Sequence, residues 1–283
     1  MGAYFRDMPL SAVAGLVIVA VNVLVAVFGP VIAPYAESYQ VSLQPWSPPS
    51  AEAWLGTDNL GRDMLTRMLY GAQTTLGIAF IATVLSFAVG IAFGFAAGTL
   101  GGAVDQVLSR IVDVFMAIPS LILSLLLLSI LGTGVPVIIS VIAVVDATRV
   151  FRISRALAMN LSVMEFVEAA RLRGEGLTWV LGREILPNAL PPLVAEFGLR
   201  FCFVILFVSS LSFLGLGIQP PYADWGGMVR DNAQAINFAA YDPLIAIAPL
   251  APAVAIATLT VGINLLADWM LAKQNRTVGG QEA

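Results

Sequence analysis

No aspartate, glutamate, lysine or arginine occurs between Arg67 and Asp105, nor again between Asp113 and Asp146. Runs of that length are hard to place in a water-soluble fold, where each element must turn a polar face to solvent. They suit lipid instead, where a helix of about 20 apolar residues crosses roughly 30 Å of hydrocarbon. The composition agrees: 59% of residues are hydrophobic and 11% charged, against roughly 25% charged in soluble domains, and the mean hydropathy is +0.89. The chain therefore reads as an all-α, polytopic membrane protein.

Several function classes fall away on composition alone. A net charge of −4 with no basic stripe gives nucleic acid nothing to bind. The chain has no histidine, which removes imidazole catalysis, the common zinc sites and the catalytic dyad of a rhomboid-like protease. Cys202 is the single cysteine, so no internal disulfide or CxxC metal site can form, and it reads as a small buried hydrophobe. The one lysine, Lys273, precedes Gln274, so the phosphate-cradling G-x-x-x-x-G-K-[ST] loop is absent. The expectation is a non-catalytic membrane subunit that binds no metal, with any ATP and Mg held by another chain.

Six spans fit the pattern. The first covers Leu10 to Ala33, closed by Pro30 and Pro34, and is longer than a signal-peptide core with no A-x-A site after it. The second runs from Thr74 to Gly98. The next uncharged run is divided by Leu131-Gly132-Thr133-Gly134-Val135-Pro136, giving a third helix from Val107 to Leu131 and a fourth from Pro136 to Ala156. The fifth covers Leu190 to Leu214 and the sixth Pro243 to Leu271. An even number of spans puts both termini on one side, and cations decide which. Arg6, Arg110, Arg149, Arg152, Arg155, Arg171, Arg173, Arg183, Lys273 and Arg276 fall on the side of the termini, against Arg62, Arg67 and Arg230 opposite, with Arg200 inside the fifth span. Both ends are expected in the cytoplasm. The chain then divides into an N-terminal helix with the first outer loop (1–71), a five-helix core (72–272) with a cytoplasmic loop at about 157–188, and a short tail (273–283).

Charges near or within spans invite functional readings. Glu196 and Arg200 stand four residues apart with the acid first, the favourable order for pairing on one helix. They read either as a pathway lining that meets the termini of a zwitterionic peptide or as a self-neutralising structural pair. Arg110 with Asp113, and Asp146 with Arg149, read as structural pairs, Asp268 as interfacial, and the ladder Arg149, Arg152, Arg155 as a positive-inside anchor. Gly90, Gly94 and Gly98 form a small-xxx-small stripe for close helix packing. The outer segments Tyr35 to Gln73 and Gly215 to Asp242, rich in Pro, Trp and Tyr, suit a membrane interface or a docking surface.

The cytoplasmic loop carries the most specific pattern. Val163 to Arg173 reads as a short helix with Phe166, Ala169, Ala170 and Arg173 at helical spacing, and Gly174 placed to end it. An amphipathic stretch from Leu177 to Ile185 follows, and Pro187 marks the entry to the next span. Glu168-Ala169-Ala170, Gly174 and Ile185-Leu186-Pro187 together resemble the EAA loop of ABC-importer permeases. Leu55-Gly56-Thr57-Asp58 with Gly61-Arg62-Asp63, and Leu211-Ser212-Phe213-Leu214-Gly215-Leu216-Gly217 through Pro220-Pro221 with Trp225-Gly226, are similar to the outer loops of the dipeptide/oligopeptide/nickel-type members. With Asp113 and Ile118-Pro119, the resemblance spans roughly residues 54 to 268. The chain departs from that pattern at Glu184 (often His), Val208 (often Glu) and Ala267-Asp268-Trp269 (usually Gly-Asp-Gly).

The resemblance implies a type I ABC-importer permease fold in a bacterial cytoplasmic (inner) membrane. It implies a homologous second permease, two ATP-binding subunits and an extracytoplasmic substrate-binding protein as partners. Glu168, Ala169, Ala170 and Gly174, with Arg171 and Arg173, would then contact the ATPase, and dipeptides, oligopeptides or similar small solutes would be the cargo. A stand-alone secondary transporter or channel would explain the spans and buried charges but not the EAA-like spacing.

Overall fold

The computed structural model describes residues 8–279, with side chains to Lys273; Arg6 and the side chain of Arg276 lie outside the described residues. The described residues form ten α-helices joined by short π and 3-10 turns, and contain isolated bridges but no strand. Four stretches are long and apolar enough to cross a membrane: Leu10–Ile32, Met64–Leu100, Leu177–Phe213 and Pro243–Lys273. A bent pair, Gly102–Ala117 with Ser120–Leu131, makes a fifth if taken as one broken span. The 28-residue helix Val135–Ser162 carries Asp146, Arg149, Arg152 and Arg155, which count against it on composition.

Helix α1 (Leu10–Ile32) exposes most of its apolar side chains, as a helix in lipid does. It touches its neighbours through glycines: a Cβ on Gly15 would sit 2.7 Å from Gly262 O, and one on Gly29 2.9 Å from Leu69 O. Helix α2 (Met64–Leu100) begins ten residues before the expected Thr74. Asp63 caps it there, accepting from Thr66 N at 2.7 Å, so the helix is nucleated inside the outer loop and not at the edge of the apolar run.

The expected continuous helix from Val107 to Leu131 does not form. Instead α3 (Gly102–Ala117) and α4 (Ser120–Leu131) meet at 89°. Pro119 has no N–H to donate and drives Ile118 to an extended conformation (φ −94°, ψ 131°), which ends α3. Helix α5 (Val135–Ser162) runs six residues beyond the expected Ala156 and packs along α2 through the glycine stripe. Cβ atoms on Gly90, Gly94 and Gly98 would approach Val150 Cβ, Phe151 O and Ala158 Cβ to 2.5, 2.7 and 2.7 Å. No side chain fits there, so the stripe sets the closest approach of the two helices.

The segment expected in the cytoplasm comprises α6 (Glu165–Leu172), α7 (Leu177–Trp179) and a π turn at Val180–Ile185, which feeds directly into α8 (Leu186–Phe213). Helix α9 (Trp225–Asn232) precedes two 3-10 turns, and α10 (Ile247–Gly279) closes the described chain.

The two segments expected outside fold together as one cap. Asp58 accepts from Leu60 N, Arg62 N and Arg62 Nε, and lies 3.2 Å from Arg67 Nε. Arg67 also reaches Glu37 O and Pro221 O, while the Glu37 carboxylate accepts from Ala223 N. Trp46 Nε1 and Asn59 N both donate to Asn232 Oδ1, and Trp225 Nε1 donates to Met68 O. The turn needs Gly61 (φ +72°), whose Cβ would fall 1.9 Å from Ser42 O.

Candidate functional site: the cytoplasmic loop and the intramembrane charges

Helix α6 has eight residues, too few to hold together alone. Its support is the fully buried pair Val167 and Ala170, which join Val180, Ile185, Ala189 and Leu193 of the following turn and helix in one cluster with Phe87 and Val150. The inward face is thus Val167–Ala170, where the spacing had grouped Ala170 with Phe166, Ala169 and Arg173. Glu168, Ala169, Arg171, Arg173 and Gly174 are exposed. Around them stand apolar side chains: Phe166, and three not singled out from the sequence, Val163 and Leu172, 80% and 82% exposed, and Met164, also open. Exposed apolar residues concentrated beside a short helix mark a contact surface.

Gly174 ends the helix as expected from its position. It takes φ +82°, and Glu175 N donates to Ala170 O at 3.2 Å, closing the last turn. Arg173 ties this end to α7 and the π turn, with its guanidinium 5.8 Å from the Trp179 ring and 3.7 Å from Glu184 Oε1. Glu184, a departure from the family pattern, is therefore the partner of a loop cation. Downstream, α8 carries Pro187, Pro191 and Pro192 within its first two turns.

A second cluster lies deep between α2, α5 and α8. Arg200 Nε donates to Glu196 Oε1 at 2.5 Å, the pair read from the i, i+4 spacing. Asp146 extends it: its Oδ1 lies 3.9 Å from both Arg149 Nη1 and Arg200 Nη1, and its Oδ2 accepts from Ser86 Oγ at 3.1 Å. Arg149 also stacks over Phe203 and donates to Ser120 Oγ at 3.4 Å, where α4 begins. The four charges sum to zero. Desolvation on this scale is tolerated only with such partners.

The expected Arg110–Asp113 pair is replaced. Asp113 takes Arg152 Nη2 at 2.8 Å and Asp105 takes Arg155, with Nη2 to Oδ2 at 2.6 Å, while Arg110 is exposed. Because α3 folds back along α5, its acids meet the arginine ladder across helices instead of along one. No group of three or more potential metal ligands occurs among the described residues.

Two family models match the chain: binding-protein-dependent transport system inner membrane component over residues 90–280, and N-terminal TM domain of oligopeptide transport permease C over residues 11–49. A dipeptide transport system permease of Alkalihalophilus pseudofirmus is 34% identical over 260 residues, covering 91% of this chain and 83% of the relative. A di/tripeptide transport permease of Pseudomonas aeruginosa is 34% identical over 264 residues, covering 91% and 85%. An oligopeptide transport permease of Bacillus subtilis is 33% identical over 234 residues, covering 83% and 76%. Among solved structures, a chain of the MetNI methionine ABC transporter in an inward-facing conformation aligns with TM-score 0.57 at 19% identity, over 74% of this chain and 97% of that one, which is a likeness of fold. The chain is a multi-pass membrane protein, and it belongs to the family of binding-protein-dependent transport system inner membrane components, among the dipeptide and oligopeptide permeases.

Proposed function

We propose that this chain is one permease of an ATP-driven, binding-protein-dependent importer of dipeptides or oligopeptides in a bacterial cytoplasmic membrane. Helix α6, with its counterpart on a homologous second permease, is the part that two ATP-binding subunits grip, and that second permease supplies the other half of the pathway. ATP and Mg belong to those subunits, and an extracytoplasmic binding protein delivers the cargo. The observation that carries this reading is the two-sidedness of α6: Val167 and Ala170 are buried in the chain's own bundle, while Phe166, Glu168, Ala169 and Leu172 face solvent. A helix too short to stand alone, rooted on one side and apolar on the other, is built to be docked.

Six spans follow if α3–α4 is one broken span and α5 is counted despite its charges, whose partners neutralise them. Both termini then share the side of α6 and of the arginine ladder, in keeping with positive-inside topology. The test is co-purification of the tagged chain in mild detergent. A second permease and ATP-binding subunits are expected with the wild type, and a Gly174→Pro, Glu168→Arg variant should lose the ATP-binding subunits. A chain that purifies alone and moves solute in liposomes without ATP would establish a stand-alone carrier.

A further inference from the structure

A cavity of about 300 Å³ opens at the corner where α3 breaks into α4, against the middle of α5. Phe115, Ile118, Pro119 and Ser120 come from the break and Thr148 and Arg149 from α5; among the described residues Arg149 is the only charge in the wall. The volume is at the lower end of the roughly 300–1,000 Å³ that small-molecule sites span. Arg149 lies about 20 Å from either end of α5 at 1.5 Å rise per residue, too far for its side chain to reach a membrane surface. An arginine at that depth marks a ligand or ion pathway unless its partners use up its charge and its donors.

Its partners do not. A guanidinium has five N–H donors in one plane. Among the described residues, the only side-chain hydrogen bond of Arg149 is the long one to Ser120 Oγ at 3.4 Å. Asp146 Oδ1 stands 3.9 Å away, beyond hydrogen-bonding distance, is equally far from Arg200, and has no hydrogen-bond partner. Arg200, by contrast, holds Glu196 at 2.5 Å. The Phe203 ring covers a face of the Arg149 guanidinium at 4.6 Å and takes none of its N–H groups, and 29% of the side chain is open. Beside it, α4 starts without a side-chain cap, and Leu123 N makes the first helical bond, to Pro119 O. The N–H groups of Ser120, Leu121 and Ile122 precede that ladder, so the positive end of a helix dipole adjoins the guanidinium. Thr148 Oγ1 donates to Val145 O and adds no donor. A planar fork of donors next to the start of a broken helix matches a carboxylate. A lipid phosphate offers similar oxygens, but it belongs at the membrane surface and not at mid-helix.

We infer that the cavity at the α3–α4 break takes the C-terminal carboxylate of the peptide cargo, held by the Arg149 guanidinium and the start of α4. The inference rests on the importer reading and deepens it, since it names the group by which the pathway recognises its cargo. It is tested on the assembled complex with its binding protein in liposomes. The complex is supplied with a panel of di- to pentapeptides and their C-terminal amides, and uptake is read by mass spectrometry of the lumen. Arg149→Gln should assemble with its partners as the wild type does, yet take up free peptides about tenfold more slowly or worse, the effect of losing one charge-assisted hydrogen bond. Uptake of the amides, which carry no carboxylate, should change by less than about twofold, and Arg149→Lys should recover part of the rate for free peptides. Undiminished uptake by Arg149→Gln, or equal losses for acids and amides, overturns the inference. So does native mass spectrometry in which Arg149→Gln sheds a bound phospholipid while peptide uptake stays whole, which would assign the site to a headgroup phosphate. A wild-type complex that takes up no peptide when ATP is added sinks the importer reading itself, and this one with it.

Discussion

Gly94 has the backbone of Phe151 and the Cβ of Ser154 within 2.7 Å of where its own Cβ would stand, whereas a Cβ on Gly77 would meet nothing within 4 Å. The same residue type on one helix thus does two different jobs. Gly94→Leu should force α2 and α5 apart and cost about 1–3 kcal/mol, the usual range for overpacking. Gly77→Ala should be neutral or gain up to about 1 kcal/mol from helix propensity. Thermal unfolding in detergent separates the two, and equal losses would mean that the stripe does not set the helix spacing. At this scale the sequence was informative wherever one helix decides the outcome: the stripe, Gly174 and Glu196–Arg200 all follow from spacing. It was uninformative where a second helix chooses the partner. Asp113 has Arg110 within a turn and still binds Arg152, because the fold-back of α3 is a tertiary fact.

Among the elements, boundaries were the weakest reading. Asp63-x-x-Thr66 is a readable cap, yet the lipid-length argument placed the start of α2 at the edge of the apolar run. The break at Pro119 was hidden because spans tolerate proline, and only packing decides whether the helix bends or stops. For α6, eight residues with small side chains on several sides gave no basis for deciding which face turns inward. Helix α9 offers a test at this scale. Asp224 caps it, accepting from Gly227 N at 3.0 Å, and burial is the main cause holding its carboxyl above the usual range. The folded chain therefore keeps a proton that the unfolded chain would release. Stability from this group falls as pH rises from the ordinary carboxylate value through the raised one. Asp224→Asn keeps a capping oxygen and cannot ionise, so it should flatten that slope in unfolding measured from about pH 4 to pH 8. An unchanged slope would place the pH dependence elsewhere.

Over the whole molecule, one buried cation stands at the junction of the cap, beside the Trp46–Asn232 and Glu37–Ala223 contacts. Arg67 is 4% exposed and joins Asp58 of the first outer segment to Pro221 of the second. Arg67→Leu leaves Asp58 with Arg62 alone and removes the tie to Pro221, a loss of about 3 kcal/mol by the usual cost of breaking a buried pair. Protease added from outside should then cut between residues 35 and 63 in spheroplasts, while the wild type resists; equal resistance would show that Trp46, Asn232 and Trp225 hold the cap without it. The end that carries α6 is built on another plan. Val167 and Ala170 share one buried cluster with Ile185, Ala189 and Leu193, and packed interiors compress little. Under the proposed importer reading, a push applied by a partner to the surface of α6 would then pass to the base of α8 through that cluster, the loop acting as a rocker on a stiff bearing, and its reach would be set by that bearing and not by slack in the chain.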